Sequence, residues 1–580
     1  MAQTVAEILV DQMIEVGIRR VYGIVGDSAN PVVDALRRHQ DDIEFVHVRN
    51  EEAGAFAAGA DAQISGIPTA VLGSSGPGSV HLLNGLYDCQ RNAAPVFAIA
   101  THIPSTEIGS GYFQETNPEQ IFSGCTNYVA MISSAGQMPR ISELALQAAI
   151  LDRGVGMVIL PGDVAAQTVD TPMLRHPVLT DRPVMRPTED ALDRAAALIA
   201  GARKIAIHGG EGTREAREEV LQLAGRLHAP VSYAYRGKDV LEADNPGAVG
   251  MTGLLGWGGA TEALAECDLL VMLGTDFPYH AFLPDGKTII QVDDKPLHLG
   301  RRAAVDLGLV GDVGETLRAL LPRLEQRTDT SFLDEVVKDH HKMVKGIQTY
   351  VEHEGSGHGL RPEMVATALS DLAEDDAVFT VDTGMCNVWG ARYLEMRPGR
   401  RILASFSHGS MANAMPQAIG AKVGSPDRQV VALCGDGGFS MLMGELLTAA
   451  GLDIPVKLMI FNNSTLGMVR AEMMVVGYQP WGTDVKNPDF GALATAAGIH
   501  GERVEHAADI RPAIERAFAH PGPALIDFVT DPRALAVPPH TTLEEVKGFA
   551  LTTGKLVFTG DVAEAWQQAR SNIRDVGQAL

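Results

Sequence analysis

The sequence predicts an α/β protein of three doubly wound parallel-sheet domains followed by a C-terminal tail. At roughly 150 residues per domain, its 580 residues provide for three or four domains. Short apolar strands alternate with helical segments in three blocks, which is the pattern of parallel sheets with helices on both faces. We therefore expect domains at residues 1–165, 190–325 and 360–530 and a tail at 531–580.

Composition excludes several classes of protein. The chain carries 47 basic and 72 acidic residues, a net charge of −25, which argues against a nucleic-acid partner. No apolar run approaches the ~18 residues of a membrane span, and the acidic N-terminal segment does not resemble a signal peptide. The five cysteines are scattered and form no Cys-x-x-Cys pair, which is typical of reduced thiols in a cytoplasmic protein without a zinc site.

The first block begins with a capped helix. Thr4 and Glu7 form a capping box, and apolar residues then recur at helical spacing up to Gly17. A strand at 20–25 and a helix opening near Pro31 follow. The same alternation continues to the end of the block.

A proline-rich linker separates the first two blocks, with prolines at 172, 177, 183 and 187. The first strand of the second block, 204–208, runs into Gly-Gly-Glu-Gly, a partial dinucleotide-binding turn that alone is weak evidence. The charged segment 323–361, which includes His340 and His341, is expected to be a solvated connecting helix.

Blocks one and three share a faint similarity. An Ala/Gly-rich helix, a strand and a Gly turn occur in that order at 53–79 and again at 411–440. An ancient duplication and the order of elements common to α/β folds explain this similarity equally well.

The third block carries the pattern with the most chemical information. A buried strand at 430–434 ends in Gly-Asp436-Gly, a helix is expected at 439–450, and a second buried strand at 456–461 ends in Asn462-Asn463. In a right-handed βαβ unit both strands open on the same edge of the sheet, so Asp436 and Asn463 can meet. Their hard oxygen atoms suit Mg²⁺ completed by phosphate oxygens and water, and the glycines let phosphates approach the backbone.

This Gly-Asp-Gly…Asn-Asn pattern resembles the diphosphate- and metal-binding motif of thiamine diphosphate (ThDP) enzymes. The similarity covers nearly the whole chain and is strongest to the pyruvate oxidases, in particular the quinone-reducing pyruvate dehydrogenases of bacteria. The segments that carry it are VRNEEAGAFAAGA (48–60), HIPSTEIGSGYFQET (102–116), MTGLLG (251–256), GTDFPY (274–279) and FSHGSMANAMPQAIGA (406–421). The resemblance implies ThDP-binding first and third domains around a Rossmann-like, FAD-binding central domain.

The resemblance also assigns roles around ThDP. It implies Mg²⁺ ligation by Asp436, Asn463 and the carbonyl of Thr465. Glu51 matches the glutamate that shares a proton with the aminopyrimidine ring, which requires a carboxyl group in an apolar site. Met411 matches the bulky residue that holds ThDP bent. Further contacts to ThDP are implied for Gly409, Ser410, Gly437, Gly438, Leu466, Gly467 and Met468.

The same resemblance places FAD in the central domain. The residues implied are Met251, Thr252, Gly253 and Leu254, then Thr275, Asp276, Phe277, Pro278 and Tyr279, with Asp293 where a ribose contact is expected. Acetolactate synthases bind a flavin in this domain without using it for redox chemistry. The domain alone therefore does not establish electron transfer.

Residues in three segments of the sequence help to discriminate among the related enzyme classes. Acetolactate synthases carry a Gln-Trp pair where this chain has Ala471-Glu472, whereas the oxidases carry a glutamate at the position of Glu472. Phe113 and Gln114 stand where pyruvate decarboxylases use a His-His pair and are expected to line the substrate pocket. Some quinone-reducing relatives have a phenylalanine assigned to electron transfer where Met468 stands, and that role is not carried over.

The sequence thus predicts an enzyme that oxidises pyruvate to acetate and CO₂ and passes electrons through FAD to a membrane quinone. A homotetramer is expected, with Glu51 of one chain meeting Asp436 of another. The alternatives are a pyruvate oxidase making acetyl phosphate and peroxide, an acetolactate synthase-like transferase, and a non-catalytic binding protein. The tail resembles a segment that docks on membranes, but its net charge of −1 over 561–580 offers no attraction to anionic lipid, so packing on its own protein is an equal alternative.

Overall fold

The computed structural model describes residues 3–169, 177–352 and 359–534, called here the first, second and third units. Each unit contains one six-stranded sheet, and every ladder between the named strands is parallel. The predicted α/β class and the three parallel sheets are confirmed. No helix within these ranges has the length and apolar character needed to cross a membrane.

The first unit has the strand order β2-β1-β3-β4-β6-β5. Its strands are β1 Arg20–Gly23, β2 Glu44–His47, β3 Thr69–Gly73, β4 Val96–His102, β5 Tyr128–Met131 and β6 Val155–Pro161. Its helices are α1 Val5–Glu15, α2 Asn30–Arg38, α3 Glu51–Ser65, α4 Pro77–Arg91, α5 Pro118–Phe122, α6 Arg140–Leu151 and α7 Gly162–Ala165. The expected capping box of Thr4 and Glu7 is present at the start of α1.

The second unit has the order β12-β11-β10-β7-β8-β9, which is the 3-2-1-4-5-6 order of dinucleotide-binding folds read from the other edge. Its strands are β7 Ile205–Gly209, β8 Val231–Tyr233, β9 Ala248–Met251, β10 Leu269–Leu273, β11 Thr288–Asp293 and β12 Leu307–Val310. Its helices are α8 Glu189–Gly201, α9 Arg217–Leu227, α10 Lys238–Leu241, α11 Ala260–Glu266, α12 Val313–Leu320 and α13 Ser331–Gln348.

The third unit has the order β14-β13-β15-β16-β18-β17. Its strands are β13 Val378–Val381, β14 Arg401–Ala404, β15 Val430–Gly435, β16 Lys457–Asn462, β17 His500–Val504 and β18 Ala524–Val529. Its helices are α14 Pro362–Leu372, α15 Met385–Tyr393, α16 Ala414–Gly424, α17 Asp436–Met441, α18 Leu446–Gly451, α19 Gly467–Val475, α20 Phe490–Ala496 and α21 Ile510–Ala519. This order repeats that of the first unit strand for strand, so the faint sequence similarity corresponds to a shared topology.

The first and third units pack directly on each other through α3 and α16. The two helices approach so closely that a Cβ at Gly420 would overlap the carbonyl oxygen of Ala57. Next to this contact, Gln417 of α16 donates a hydrogen bond to the buried carboxylate of Asp88 in α4, at 3.1 Å. Small residues in both helices are therefore what allows the two units to pack.

All five cysteines are free and buried, as expected for reduced thiols. Cys89 and Cys125 lie in the first unit, Cys267 in the second, and Cys386 and Cys434 in the third. Burial raises the pKa of every one of these thiols.

Two expected helices differ from the structure. The helix expected at 439–450 begins earlier, at Asp436, and is interrupted at Leu442, where a short 3₁₀ turn leads into α18. The charged helix α13 is not wholly solvated, because it buries Phe332 and Val336, and His340 packs on Trp257. In the tail, the spacing of five residues predicts one apolar helical face (Val562, Trp566, Ala569, Ile573 and Val576). This segment, from residue 535 onward, lies outside the described residues.

Candidate active site

Asp436 lies at the carboxyl end of β15 as the first residue of α17, and it is 3% exposed. Its Oδ1 accepts the backbone N–H of Gly437 at 2.9 Å, and its Oδ2 accepts the backbone N–H of Ser464 at 2.7 Å. Burial raises the pKa of Asp436 to about 6, against the lowering effect of these hydrogen bonds. A buried carboxylate held in this way can face a cation.

The two strand ends meet as the βαβ geometry predicts. The Ser464 N–H that binds Asp436 lies beside Asn463, whose Oδ1 accepts the backbone N–H of Thr465 at 3.1 Å. Ser464 has a φ of +55°, a left-handed conformation that a non-glycine residue adopts only when its surroundings impose it. The Asp436 carboxylate therefore lies against the turn that carries Asn463, and carboxylate and amide oxygens are donors that Mg²⁺ prefers.

Asn487 belongs to this cluster and was not predicted. Its amide donates to Asp436 Oδ2 at 2.7 Å and to Asn462 Oδ1 at 2.9 Å. Asn462 in turn donates to Asp527 at 2.9 Å. Of the two asparagines that end β16, Asn462 is thus committed to the protein framework and Asn463 is the one adjacent to the open side.

Glycines allow close packing beside this cluster. A Cβ at Gly437 would lie 2.8 Å from Leu466 and 3.4 Å from the Cε of Met411. A Cβ at Gly438 would overlap Asp382, a buried carboxylate that sequence reasoning did not single out. Three of the residues expected around the cofactor, Gly437, Leu466 and Met411, therefore lie together.

Glu51 opens α3 in the first unit and is 5% exposed. Its Oε2 lies 3.1 Å from the Nδ1 of His81, and a Cβ at Gly78 would lie 2.8 Å from its Oε1. His81 was not predicted as a site residue, since a single histidine on a helix gives no sequence signal. Among the described residues, Glu51 and Asp436 share no hydrogen-bond partner.

Phe113 and Gln114 lie on the loop after β4. Phe113 is 79% exposed, whereas Gln114 Oε1 accepts the hydroxyl of Ser75 at 3.0 Å. Gln114 has a φ of +65°. Three backbone N–H groups of the loop bind the carboxylate of Glu115, which fixes the loop in this shape.

Ser410 makes a contact between units. Its hydroxyl accepts from Asn84 of α4 at 2.9 Å, and the same amide group donates to Glu52 at 2.7 Å. Asn84 Oδ1 also lies 2.8 Å from the Nε2 of His408. The segment expected to bind ThDP is thus tied to the first unit.

A cavity of about 520 Å³ lies at the edge of the second sheet and extends to the third unit. It is lined by nearly all the residues expected to bind FAD: Met251, Thr252, Leu254, Thr275, Asp276, Phe277, Pro278, Tyr279 and Asp293. Gly253, the remaining one, packs on the Phe277 ring. Within the set, Asp276 is paired with Arg301, and Asp293 Oδ1 accepts from the N–H of Lys295 at 2.9 Å.

The third unit contributes Gly409, Met468 and Glu472 to the same cavity. Burial raises the pKa of Tyr279, which lines the same cavity, and the Glu472 carboxylate adds a smaller effect in the same direction. The cavity therefore joins the expected flavin residues to the segment that follows Asn463.

Five buried polar atoms on the cavity wall have no hydrogen-bond partner among the described residues. They are Thr252 Oγ1, Tyr235 Oη, Arg236 Nε, Thr383 Oγ1 and Asn387 Oδ1. Buried polar atoms in native proteins almost always have partners, so a row of unpaired ones indicates a bound polar molecule. The volume is in the range of small-molecule and cofactor pockets.

Comparison with known proteins agrees with this geometry. Three family models match: the N-terminal TPP binding domain of thiamine pyrophosphate enzymes at residues 3–121, their central domain at 192–320 and their C-terminal TPP binding domain at 382–528. The chain is 35% identical to YdaP of Bacillus subtilis, named as thiamine pyrophosphate-containing, over 94% of this chain and 95% of that one.

Two further relatives have named activities. A pyruvate oxidase of Lactiplantibacillus plantarum is 30% identical over 88% of this chain and 86% of its own length. An acetolactate synthase of Mycobacterium bovis is 31% identical over 91% of this chain and 88% of its own. With three sheets, three matching domain models and relatives aligned along nearly their whole length, the chain belongs to the thiamine pyrophosphate (ThDP) enzyme family that includes the pyruvate oxidases.

Proposed function

We propose that the protein oxidises pyruvate to acetate and CO₂ with ThDP, Mg²⁺ and FAD, and passes the electrons to a membrane quinone. Pyruvate and water yield acetate, CO₂, two protons and two electrons, and the quinone takes up both electrons and protons. The observation that carries the proposal is the cavity in which Glu472 and Met468 of the third unit face the expected flavin residues.

The third unit fits a metal-bound diphosphate. Asp436, Asn463 and the carbonyl of Thr465 would hold Mg²⁺, and the glycines at 437 and 438 would let diphosphate oxygens approach the backbone. Met411 would contact ThDP and hold it in its bent conformation. ThDP supplies a nucleophilic carbon that accepts the electron pair released when CO₂ leaves.

Glu51 would hold the proton exchanged with the aminopyrimidine ring. Its burial beside Gly78 and His81 keeps water from the carboxyl group, as this role requires. Phe113 and Gln114 would contact the substrate, as the family resemblance implies, and the Phe113 ring is 79% exposed and available for such a contact.

The second unit fits FAD. The strand order, the cavity and its unpaired polar atoms all suit a dinucleotide. A glutamate at 472, where acetolactate synthases carry a Gln-Trp pair with the preceding residue, favours oxidation over the joining of two ketoacids.

We further propose a homotetramer in which ThDP lies between the first unit of one chain and the third unit of another. Two exposed apolar side chains close in sequence to Asp436, Met441 and Leu447, support this proposal, being 60% and 49% exposed. We also propose domains at residues 1–165, 190–325 and 360–530. The tail at 531–580 would contact the inner face of the membrane. The strands of each sheet fall within one of these ranges.

The first experiment is an anaerobic mixing of the protein, loaded with ThDP, Mg²⁺ and FAD, with pyruvate. We expect the yellow flavin absorbance to bleach only when ThDP is present and to return when a soluble quinone is added. The matched control is Glu51→Gln, which should keep its flavin and fail to bleach.

Two other outcomes identify the alternatives. Persistent colour with accumulating acetolactate would favour the transferase. Bleaching that is reversed by oxygen, with acetyl phosphate formed from inorganic phosphate, would favour the pyruvate oxidase. Turnover by Glu51→Gln at the parent rate would refute the assigned role of Glu51.

A further inference from the structure

Glu445 connects the third unit to the first residues of α3. It lies on the 3₁₀ turn between α17 and α18 and is 1% exposed. Its Oε1 and Oε2 accept the backbone N–H of Arg49 at 3.1 and 3.3 Å. The hydroxyl of Thr448 donates to Oε2 at 2.6 Å, so both carboxylate oxygens are engaged.

The backbone that Glu445 binds is the start of the helix that carries Glu51. The first N–H groups of any helix lack partners within it. Asn50 satisfies one of them, because its side chain accepts the N–H of Glu52 at 2.8 Å. Glu445 binds the backbone just ahead of this cap, from a different unit of the protein.

We propose that Glu445 is a positioning residue that fixes Glu51 by anchoring the backbone at residues 49 and 50. This inference rests on the proposed function, in which Glu51 exchanges a proton with the ThDP ring. A hydrogen bond from an N–H to a buried carboxylate is charge-assisted, and so resists displacement better than a neutral one.

The site leaves Glu51 little freedom to compensate if the anchor is lost. Gly78 lies against Glu51 Oε1 on one side, and His81 contacts Oε2 on the other. A displacement of the helix start by about 1 Å can cost on the order of 10²-fold in rate. Glu445 thus determines where the carboxyl group of Glu51 stands, although it does not touch Glu51 itself.

The test uses Glu445→Ala and the near-isosteric Glu445→Gln in the full-length protein. The first measurement is amide hydrogen exchange of the segment around residues 46–54 in the apoprotein. The second is the exchange of the C2 hydrogen of bound ThDP for deuterium, followed by acid quench and NMR, with ThDP affinity measured by calorimetry. The matched control is Glu7→Ala, which removes the carboxylate that caps α1 far from the site.

We expect Glu445→Ala to speed amide exchange at residues 49 and 50 and to slow C2 exchange, each by about tenfold, the factor that corresponds to one lost hydrogen bond. ThDP affinity should change by less than about threefold. Glu445→Gln, which keeps one acceptor oxygen, should show the same effects at reduced size and carries the test if the alanine variant does not fold. Glu7→Ala should speed exchange only in α1.

Unchanged amide exchange at 49 and 50 in both Glu445 variants would overturn the anchor. Faster amide exchange with normal C2 exchange would overturn its positioning role. Glu51→Gln separates this failure from that of the proposed function. If Glu51→Gln slows C2 exchange and the Glu445 variants do not, only the inference fails, whereas normal exchange in Glu51→Gln refutes both.

Discussion

At the residue scale, three residues of the motif segments have a left-handed backbone. Gln114, Ala412 and Ser464 have φ values of +65°, +69° and +55°, and each lies in a segment that sequence motifs had assigned to the cofactor or the substrate. Such conformations cost of order 1–3 kcal/mol each, so the surrounding structure must maintain them. Five other non-glycine residues in the described part of the chain also have a positive φ, so this feature alone does not identify the site.

Motif spacing predicted Asp436 and Asn463, because both follow strands of one βαβ unit. It could not predict Asn487, which approaches Asp436 from a separate loop 24 residues after Asn463 in the chain. Glu445 and His81 were not predicted from the sequence for the same reason, since the role of each depends on a contact with residues distant in sequence. Residues whose role depends on tertiary contacts alone leave no local signal.

Phe113→Ala should leave stability unchanged and reduce activity. The side chain is 79% exposed, so its removal should alter the free energy of unfolding by no more than about 0.5 kcal/mol. If the ring contacts pyruvate, kcat/KM should fall by about tenfold or more, which corresponds to the loss of ~1.4 kcal/mol of transition-state binding. Thermal unfolding and steady-state kinetics measure the two effects. Parent-like kcat/KM would remove Phe113 from the site.

Asp88→Asn should stabilise the apoprotein increasingly as the pH rises. Burial raises the pKa of Asp88 to about 7, above the ~3.9 of an unfolded aspartate. Folding therefore takes up a proton between these values, and the stability of the parent falls until the folded state ionises near pH 7. The advantage of the variant should grow by roughly 2–3 kcal/mol between pH 5 and 8. Calorimetric Tm values at both pH values test this, and an equal shift at both would contradict it.

At the element scale, strands were easier to predict than helix ends. The strand expected at 430–434 occupies Val430–Gly435, and a short continuous run of apolar residues is typical of an inner strand of a parallel sheet. The helix after it was expected to start three residues later, since two glycines disfavour a helical first turn. Asp436 accepts the N–H of Gly437 and so stabilises that turn.

Gly420→Ala should destabilise the contact between α3 and α16. Its new Cβ would overlap the Ala57 carbonyl, and overpacking of a well-filled interior costs typically 1–3 kcal/mol. Gly225→Ala is the matched control, because this residue also lies in a helix and has no atom within 4 Å of an added Cβ. The control should gain about 0.5–1 kcal/mol. Thermal unfolding of both variants decides, and equal shifts would refute the close approach.

At the scale of the whole molecule, the proposed assembly would bring Glu51 of one chain to Asp436 of another. Among the described residues these two side chains share no hydrogen-bond partner. The sequence implied the assembly only through family resemblance, since no periodicity or spacing reports which chain supplies a residue. The parallel pairing within all three sheets, in contrast, follows from the alternation of strands and helices along one chain, whereas the order of the strands was not predicted.

Leu447→Glu should weaken the assembly. This side chain is 49% exposed on α18, near the candidate metal site, and a charge there would be buried by a second copy. Leu297→Glu is the control, because Leu297 is 86% exposed in the second unit. Sedimentation velocity should show a smaller species for Leu447→Glu alone, with a parallel loss of turnover. A monomeric parent with full turnover would contradict the shared site.

Because the five cysteines are buried, the rate at which each thiol reacts with an added reagent reports local opening of the structure around it. A maleimide cannot reach a thiol inside a closed unit, and the raised thiol pKa values slow its reaction further. Labelling followed by peptide mass mapping would therefore time the opening of each unit separately, with Cys267 reporting the second and Cys89 and Cys434 the first and third. Addition of flavin should slow the labelling of Cys267. The labelling rates of Cys89 and Cys434 should instead respond to thiamine diphosphate.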